Sequence, residues 1–288
     1  DRFAAMTFDA ALAAFEAEPP IQVLFEAGAA EGHGPNTPNA RFAAGFAAWP
    51  VPDVTAEAWL LTGSGGLAPS GTADAGGSTT DYLALPDATP ATFYTGDNIW
   101  SADAEFDWQQ GGAGTYAAFI SDPLDAERAM VGSGSVDLWI EANRVDGTGA
   151  GDTDLEVTLS EVRPDGTEMY VQSGWLRASH RALDTAASTD LRPVHTHLVA
   201  DAAPLPEGEP TLVRVELFPF AHVFRAGSQI RLTVDAPGGN RGEWVFDTIS
   251  GGERVTIVHD NEHPSQVVLP VVDLAAIGVD VPDPYPAC

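Results

Sequence analysis

Paired histidines are the first feature of the sequence whose type and spacing could do chemistry. His195 and His197 stand two residues apart, and on a strand such a pair shares one face, which suits two imidazole ligands of a metal ion. Three prolines follow within residues 201–210, and a central strand does not tolerate them. The pattern therefore favours two loop histidines, and a metal pair stays as the alternative.

Acidic residues in a Gly- and Thr-rich stretch form a second candidate site. Asp146, Asp152 and Asp154 lie close together in the sequence, and carboxylate oxygens are the ligands that Ca²⁺ prefers. Their spacing does not match the alternating ligand positions and distal Glu of an EF-hand loop. A solvated acidic turn is the favoured interpretation, and Ca²⁺ binding near Asp146–Asp154 is left open.

Three further histidines could supply a general base. His222 stands among the aromatic residues of Phe218–Phe224, and His259-Asp260 and Glu262-His263 pair imidazoles with carboxylates. A structural histidine and turn capping are the simpler interpretations. No Gly-x-Ser-x-Gly elbow occurs in the sequence, so a serine nucleophile of the α/β-hydrolase type is not indicated. The sequence assigns no catalytic residue, no metal ligand and no cofactor.

Charge and composition exclude several kinds of partner and of structural feature. The chain has 288 residues, of which 42 are acidic and 13 are Arg, with no Lys, and its net charge is −29. Such a charge repels phosphate, so nucleic acids and anionic membranes are not expected as partners. No apolar run is long enough to span a bilayer. The single Cys, Cys288, excludes an intrachain disulfide. A bacterial cytoplasmic and a secreted location both stay open.

The elements that must position these residues begin with one helix. Phe8, Leu12 and Phe15 recur at helical spacing after Thr7, which can cap the helix, and Pro19-Pro20 ends it. Residues 21–25 are apolar on both faces, which predicts a strand that is buried on both sides and lacks a partner here. Residues 27–50 are rich in Gly, Ala and Pro and are expected to form a linker.

Short segments of alternating polarity dominate the rest of the chain. Val136, Leu138 and Ile140 alternate with polar residues or Trp139, as do residues 155–160, 213–217 and 229–235. Period two predicts strands with one face on a core and the other in water. Without crossover helices, these strands predict a mainly β protein with a β-sandwich or jelly-roll fold. Residues 63–80 are expected to form a flexible loop, and residues 282–288 a frayed tail.

Six segments carry motifs in a recognisable order along the chain: 8–25, 49–61, 122–139, 152–181, 218–232 and 259–270. Among the most distinctive are Gly174-Trp175-Leu176-Arg177 and Phe218-Pro219-Phe220-Ala221-His222. In this order the sequence resembles the C-terminal half of the X-prolyl dipeptidyl-peptidase and cocaine-esterase (CocE/NonD) family of α/β-hydrolases.

The resemblance implies a three-part organisation. Residues 1–49 would be the last helix, last strand and linker of an α/β-hydrolase domain. Residues 50–272 would form a jelly-roll, galactose-binding-like β-sandwich, and residues 273–288 a tail. In the family the serine-hydrolase triad precedes these segments, so none of its members is carried over to this chain. The chain is expected to be inactive alone and to support and wall the active site of an upstream catalytic domain, in a hydrolase of esters or X-Pro peptides.

A missing catalytic half would leave an apolar surface bare. The residues expected there are Phe8, Leu12, Phe15, Ile21, Val23 and Phe25. Because large apolar patches are normally covered, we also expect this surface to permit a homodimer. Two alternatives stay open: a stand-alone carbohydrate-binding jelly-roll module with exposed aromatic residues, and a cupin-like metal enzyme that uses His195 and His197.

Overall fold

The computed structural model describes residues 2–33, 37–69, 78–88, 108–144, 146–238 and 247–284. Helices are short and few within these ranges, and strands dominate. The α-helices are α1 (Phe8–Glu16) and α2 (Leu274–Ile277), and three single-turn 3₁₀ helices lie at Pro86–Ala88, Ala178–His180 and Val199–Asp201. The strands are β1 (Ile21–Ala27), β2 (Ala40–Phe46), β3 (Thr55–Leu61), β4 (Gly66–Pro69), β5 (Ser78–Leu83), β6 (Ala117–Ser121), β7 (Arg128–Asn143), β8 (Asp154–Val162), β9 (Glu168–Arg177), β10 (Thr211–Phe224), β11 (Gln229–Asp235), β12 (Arg254–His259) and β13 (Gln266–Val272).

Helix α1 begins and ends where its sequence predicts. The hydroxyl of Thr7 accepts a hydrogen bond from the backbone N–H of Ala10 at 3.4 Å, which satisfies one of the free donors of the first turn. Pro19 and Pro20 follow the helix and cannot continue it. None of the residues of α1 is buried, so the helix lies on the surface of the molecule.

The segment after α1 differs from the sequence expectation. Strand β1 has a partner in this chain, because residues 40–46 form β2 and pair with it antiparallel, from Ile21–Phe46 to Ala27–Ala40. The linker interpretation of residues 27–50 is therefore wrong for this part. Its Ala and Gly residues have weak strand propensity, but Ala44 and Phe46 gain burial when they pair with β1. We call β1 and β2 the N-terminal hairpin.

A mainly β sandwich follows, as the sequence predicts, and its long strand β7 organises it. Within the described residues, eleven strands join in one sheet. Strand β10 pairs with β7 along most of its length. The other edge of β7 is divided, because residues 129–137 pair with β13 and residues 140–143 pair with β12. Strand β7 is therefore shared by β10 on one edge and by β12 and β13 on the other.

The apolar faces of these strands form the core. Val136, Leu138 and Ile140 of β7 are fully buried, as their alternation predicts. The same cluster contains the apolar residues of β8, β10 and β11 together with Phe119 and Phe224. Residues Pro164-Asp165-Gly166 form the hairpin turn between β8 and β9, and Gly166 has a φ of 86°, which glycine adopts without strain.

Strand β8 differs from the prediction that its polar face lies in water. Glu156, Thr158 and Ser160 are all nearly inaccessible. Two of them have neighbouring partners: Thr158 Oγ1 lies 2.9 Å from Ser173 Oγ, and Ser160 donates to Glu168 at 2.6 Å. Alternation therefore placed the core face of β8 correctly, but the second face is also covered.

The sandwich closes where β9 crosses β10. A Cβ atom placed on Gly174 of β9 would lie 1.7 Å from the carbonyl oxygen of Glu216 in β10. A side chain is excluded by backbone at that distance, so only glycine permits the crossing.

Two segments that were expected to be irregular are only partly described. Within the segment 63–80, residues 66–69 form β4, which runs parallel to β6, and residues 78–80 begin β5. The loop interpretation is therefore wrong for these two stretches. Residues 63–65 form a turn, as expected. The remaining part of that expectation falls on residues 70–77, and part of the expected tail on residues 285–288, which lie outside the described ranges.

Candidate functional site

The N-terminal hairpin packs against the sandwich through an apolar cluster. Phe25 is fully buried, and its ring stacks on Phe42 with centroids 4.8 Å apart. Ile21 and Val23 are partly buried against the same cluster. Its buried members come from the hairpin, the adjoining chain, β7, β10, β13 and α2: Phe25, Ala44, Phe46, Val51, Ala129, Val131, Val223, Val272 and Ile277. The hairpin and the sandwich therefore share one hydrophobic contact.

A buried ionic cluster lies at the same junction. We give this name to Glu26, Arg41, Glu161, Arg163, His222 and Arg225. The side chain of Glu26 is completely inaccessible, and its carboxylate accepts from Arg41 Nη1 at 2.8 Å and from Arg225 Nε at 3.0 Å. Arg163 Nη2 approaches the same carboxylate at 3.9 Å. Burial of so many charges is tolerated because opposite charges surround each of them.

Glu161 is the second buried carboxylate of the ionic cluster. His222 Nε2 lies 3.1 Å from its Oε2, and the backbone N–H of Arg225 donates to its Oε1 at 2.8 Å. Burial alone would raise the pKa of Glu161, but the hydrogen bond and charge of His222, with the N–H of Arg225, outweigh it and lower this pKa to about 2. Because His222 is itself 3% exposed, it is a structural partner of Glu161 that substrate does not reach.

The three helical residues of the expected interface are exposed. Phe8 is 78% accessible, Phe15 59% and Leu12 42%, and we call these three the helix face. Leu24, on the outer side of β1, is 66% accessible as well. The three strand residues of the same set lie elsewhere, because Phe25 is buried and Ile21 and Val23 turn toward the apolar cluster. The helix face thus stays available to a partner, and Phe25 does not.

His195 and His197 lie in the long connection between β9 and β10, outside the named strands. Their ring centroids are 5.6 Å apart, and His180 lies 6.4 Å from His197. Burial lowers the pKa of His195. A hydrogen bond with the backbone of Arg214 opposes this shift in part, and the charges of His197 and Arg214 lower the pKa further. In the part of the chain that the structure describes, no group of three His, Cys, Asp or Glu has a metal-binding arrangement.

The acidic residues near position 150 accept hydrogen bonds within the chain. Asp146 accepts hydrogen bonds from the hydroxyl and from the backbone N–H of Thr148, and both lower the pKa of Asp146. Asp152 accepts from the backbone N–H of Ser179 at 2.8 Å, and Asp154 forms a two-point ion pair with Arg177. The three carboxylates are therefore directed at different partners.

His263 and Asp260 form a turn at the surface. Asp260 Oδ1 accepts from the backbone N–H groups of Glu262 and His263, and His263 Nδ1 lies 3.1 Å from it. The His263 ring packs edge-on against Trp139 at 4.8 Å. His259 lies on β12, and its Nε2 is 3.0 Å from the hydroxyl of Thr80. These contacts are those of turn capping and strand packing.

A groove of about 660 Å³ opens where the hairpin leaves the sandwich. Trp49, which is 45% exposed, supplies its aromatic ring, and Leu191 and Pro219 supply apolar walls. Its polar residues contact one another, since Ser133 donates to Glu216 at 3.0 Å and Arg192 lies 3.7 Å from the same carboxylate oxygen.

The comparison with protein families decides the affiliation. Residues 13–268 match the X-Pro dipeptidyl-peptidase C-terminal non-catalytic domain. The chain belongs to this family. Two curated relatives, putative serine esterases by name, come from Mycobacterium bovis and Mycobacterium tuberculosis, and each is 29% identical over 157 residues, which are 54% of this chain. The match spans 23% of the length of each relative.

Solved structures show the same fold. A CocE/NonD family hydrolase from Staphylococcus aureus superposes with a TM-score of 0.68 at 18% identity, over 90% of this chain and 42% of that one. An aminopeptidase from a marine sediment archaeon gives 0.60 at 15% identity, over 81% and 39% of the two chains. An α-amino acid ester hydrolase gives 0.53 at 19% identity, over 76% and 36%. These likenesses establish the fold of this X-Pro dipeptidyl-peptidase C-terminal domain.

Sequence reasoning missed the ionic cluster of this C-terminal domain. Glu26 and Arg225 are 199 residues apart, and each stands in a segment whose apolar residues dominate the pattern. A charged residue inside an apolar run was the available signal, as at Glu26 within Ile21–Ala27. The sequence does not show which distant charge would meet it.

Proposed function

We propose that this chain acts as the non-catalytic C-terminal domain of a serine hydrolase of esters or X-Pro peptides, where it supports and walls the active site of an upstream catalytic domain. The family match supports the non-catalytic role. The names of the curated relatives support a serine esterase, and the chain spans 23% of their length. In this proposal the bond-breaking residues lie in the part of such a protein that precedes the matched region.

The exposed helix face carries the proposal. Phe8, Leu12 and Phe15 present three large apolar side chains on one side of α1, and no residue of the helix is buried within this chain. Contiguous exposed apolar surface of this kind marks a protein contact. We infer that the upstream catalytic domain covers it, and that two copies of the chain associate through it when that domain is absent.

The proposed organisation keeps three parts. Residues 1–49 would continue the fold of the catalytic domain, residues 50–272 would form a jelly-roll, galactose-binding-like sandwich, and residues 273–288 a tail. The contacts of the hairpin support a firm attachment between the first two parts, because Phe25 and Glu26 are both fully buried at their junction. No helix within the described residues is long and apolar enough to cross a membrane.

Catalysis provides the first test. The purified chain is assayed with a p-nitrophenyl ester and with an X-Pro amide, and we expect no turnover above the uncatalysed rate. Turnover that disappears when one serine of this chain is replaced would contradict the non-catalytic role.

The helix face provides the second test. Replacement of Phe8, Leu12 and Phe15 by Ser should abolish self-association of the chain, measured by sedimentation equilibrium, and should weaken its binding to the catalytic half supplied as a separate polypeptide. Val199→Ser is the matched control, because Val199 is 90% exposed but lies in the connection between β9 and β10. Equal behaviour of the triple variant and the control would refute the assignment of this surface.

A further inference from the structure

The carboxylate of Glu26 is buried in an unusual backbone conformation. Its side chain has no accessible surface, and its φ of 53° lies in the left-handed region. A non-glycine residue in that region is strained and persists when its surroundings hold it. The neighbouring pairs of the ladder, Phe25–Phe42 and Ala27–Ala40, are regular. The strained backbone conformation is therefore confined to Glu26, the one charged residue of β1, which is buried at the junction between the hairpin and the sandwich.

Three arginines from separate parts of the chain converge on this carboxylate. Arg41 belongs to β2, Arg225 follows β10, and Arg163 follows β8. Arg41 extends the connection, because its Nε donates to the carbonyl of Pro282 at 2.7 Å and its Nη2 lies 3.2 Å from Glu127. Glu26 thus joins the hairpin to two strand ends of the sandwich and, through Arg41, to the C-terminal segment.

Directional contacts of this kind fix an orientation that apolar packing alone leaves less defined. The apolar cluster around Phe25 gains free energy from burial but tolerates small rotations of its members. A buried carboxylate with several charged donors is satisfied in one arrangement, and the best-attested use of buried polar groups is to set the register of the elements that carry them. The hairpin therefore has a defined angle to the sandwich.

The position of α1 depends on this angle. The helix buries no residue of its own, and Pro19 and Pro20 connect its end to the first strand of the hairpin. Proline fixes φ and restricts the preceding residue, so the connection is stiff. The orientation of the hairpin consequently sets the direction in which the helix face points.

We propose that Glu26 is a positioning residue, which holds the hairpin so that the helix face meets the catalytic domain in one orientation. This inference rests on the proposed function. In this proposal Glu26, a buried acid, sets the geometry of the contact between this chain and the catalytic domain.

The first experiment needs no partner. In the full 288-residue chain, Glu26→Gln keeps the shape of the side chain and removes the charge that three arginines share. We expect amide hydrogen exchange of residues 21–46 to accelerate at least tenfold, while β8 and β11 keep their protection. Glu31→Gln, at an exposed position of the same segment, is the control and should change neither. Unchanged exchange in the hairpin would overturn the proposal.

A second variant guards against misfolding of the first. Glu26→Gln combined with Arg41→Gln removes one charge of each sign, so the remaining buried charges are closer to balance. We expect this double variant to fold. The amide hydrogens of its hairpin should exchange more slowly than those of the Glu26→Gln hairpin. Equal exchange of the two variants would show that charge pairing does not hold the hairpin, and would overturn the proposal as well.

Binding separates this inference from the proposed function. The catalytic half, supplied as a separate polypeptide, should bind Glu26→Gln at least tenfold more weakly than the unaltered chain, with the helix face intact. Equal affinities of the two chains would overturn the positioning role and leave the proposed function standing. Failure of the unaltered chain to bind would overturn the proposed function and, with it, this inference.

Discussion

At the scale of single residues, two positions show how backbone and charge constrain this sandwich. Gly174 permits β9 to cross β10 because any side chain would meet the carbonyl of Glu216. Glu161 carries a charge in the interior because His222 and the backbone of Arg225 stabilise it. Neither requirement was visible in the sequence, since a glycine in a strand and an acid in an alternating segment each have simpler explanations.

Replacement of Gly174 by Ala tests the crossing. The added Cβ would lie 1.7 Å from a backbone oxygen, so the two strands must separate, and we expect the free energy of unfolding to fall by about 3 kcal/mol or more. Urea denaturation measures this change. Gly251→Ala is the matched control, because a Cβ atom added at Gly251 would have no neighbour within 4 Å. If the free energy of unfolding fell by the same amount in Gly174→Ala and in the control, β9 and β10 would not be in close contact at Gly174.

The lowered pKa of Glu161 predicts that the stability of the fold depends on pH. Its pKa is about 2 in the folded chain and 4.5 in its ordinary state, so it stabilises the fold fully above about pH 5. That contribution, about 3 kcal/mol, is lost as pH falls from about 5 toward 2. Glu161→Gln should therefore show a shallower fall of unfolding free energy between pH 5 and pH 3, measured by denaturant titration. A slope of Glu161→Gln that is parallel to the slope of the unaltered chain would contradict the assignment.

At the scale of elements, the alternation of apolar and polar residues predicts strands and their core-facing residues well. It does not predict whether the opposite face of a strand is also covered. Alternation located the core residues of β7, such as Leu138, because the requirement for an apolar face is local. Strand β2 was missed, since its Ala- and Gly-rich sequence becomes a strand through pairing with β1. The helix face was found because α1 shows helical periodicity, whereas the ionic cluster joins residues that only the fold brings together.

The helix and the hairpin should differ in their importance for stability. Removal of residues 1–18 deletes α1, which has no buried residue, and should change the unfolding free energy of the sandwich by no more than about 0.5 kcal/mol. Removal of residues 1–49 also deletes Phe25, Phe46 and Glu26, and leaves Arg163 and Arg225 buried beside an open apolar cluster. We expect a loss of at least about 3 kcal/mol from this deletion. Equal stability of the two shortened chains, measured by urea denaturation, would contradict the packing of the hairpin.

At the scale of the whole molecule, the net charge of −29 opposes the compact state. The 42 acids far outnumber the 13 arginines, and the chain has no lysine. Several of those arginines are used inside the ionic cluster, where they neutralise buried carboxylates. The cluster buries Glu26 and Glu161 as well, so the surface stays strongly negative and self-repulsion increases as the chain folds.

Added salt should consequently stabilise the domain. The screening length falls from about 30 Å at 10 mM salt to about 8 Å at 150 mM, so the midpoint of thermal unfolding should rise with NaCl over this range. A variant with Glu16, Glu31 and Glu209 replaced by Gln should show a smaller rise, because all three acids are exposed. Scanning calorimetry at fixed pH measures both. A midpoint that falls with salt would indicate that attractive surface pairs outweigh the repulsion.

The division of β7 between β10 on one edge and β12 and β13 on the other has a mechanical consequence. A force that displaces β7 acts on both of its edges, because the same backbone carries the hydrogen bonds to β10 and to β13. Within the described residues, β10, β12 and β13 are joined to one another by hydrogen bonds through β7. Stretched from its two ends, the sandwich should rupture in one event, and the load is shared across the strand that both halves hold in common.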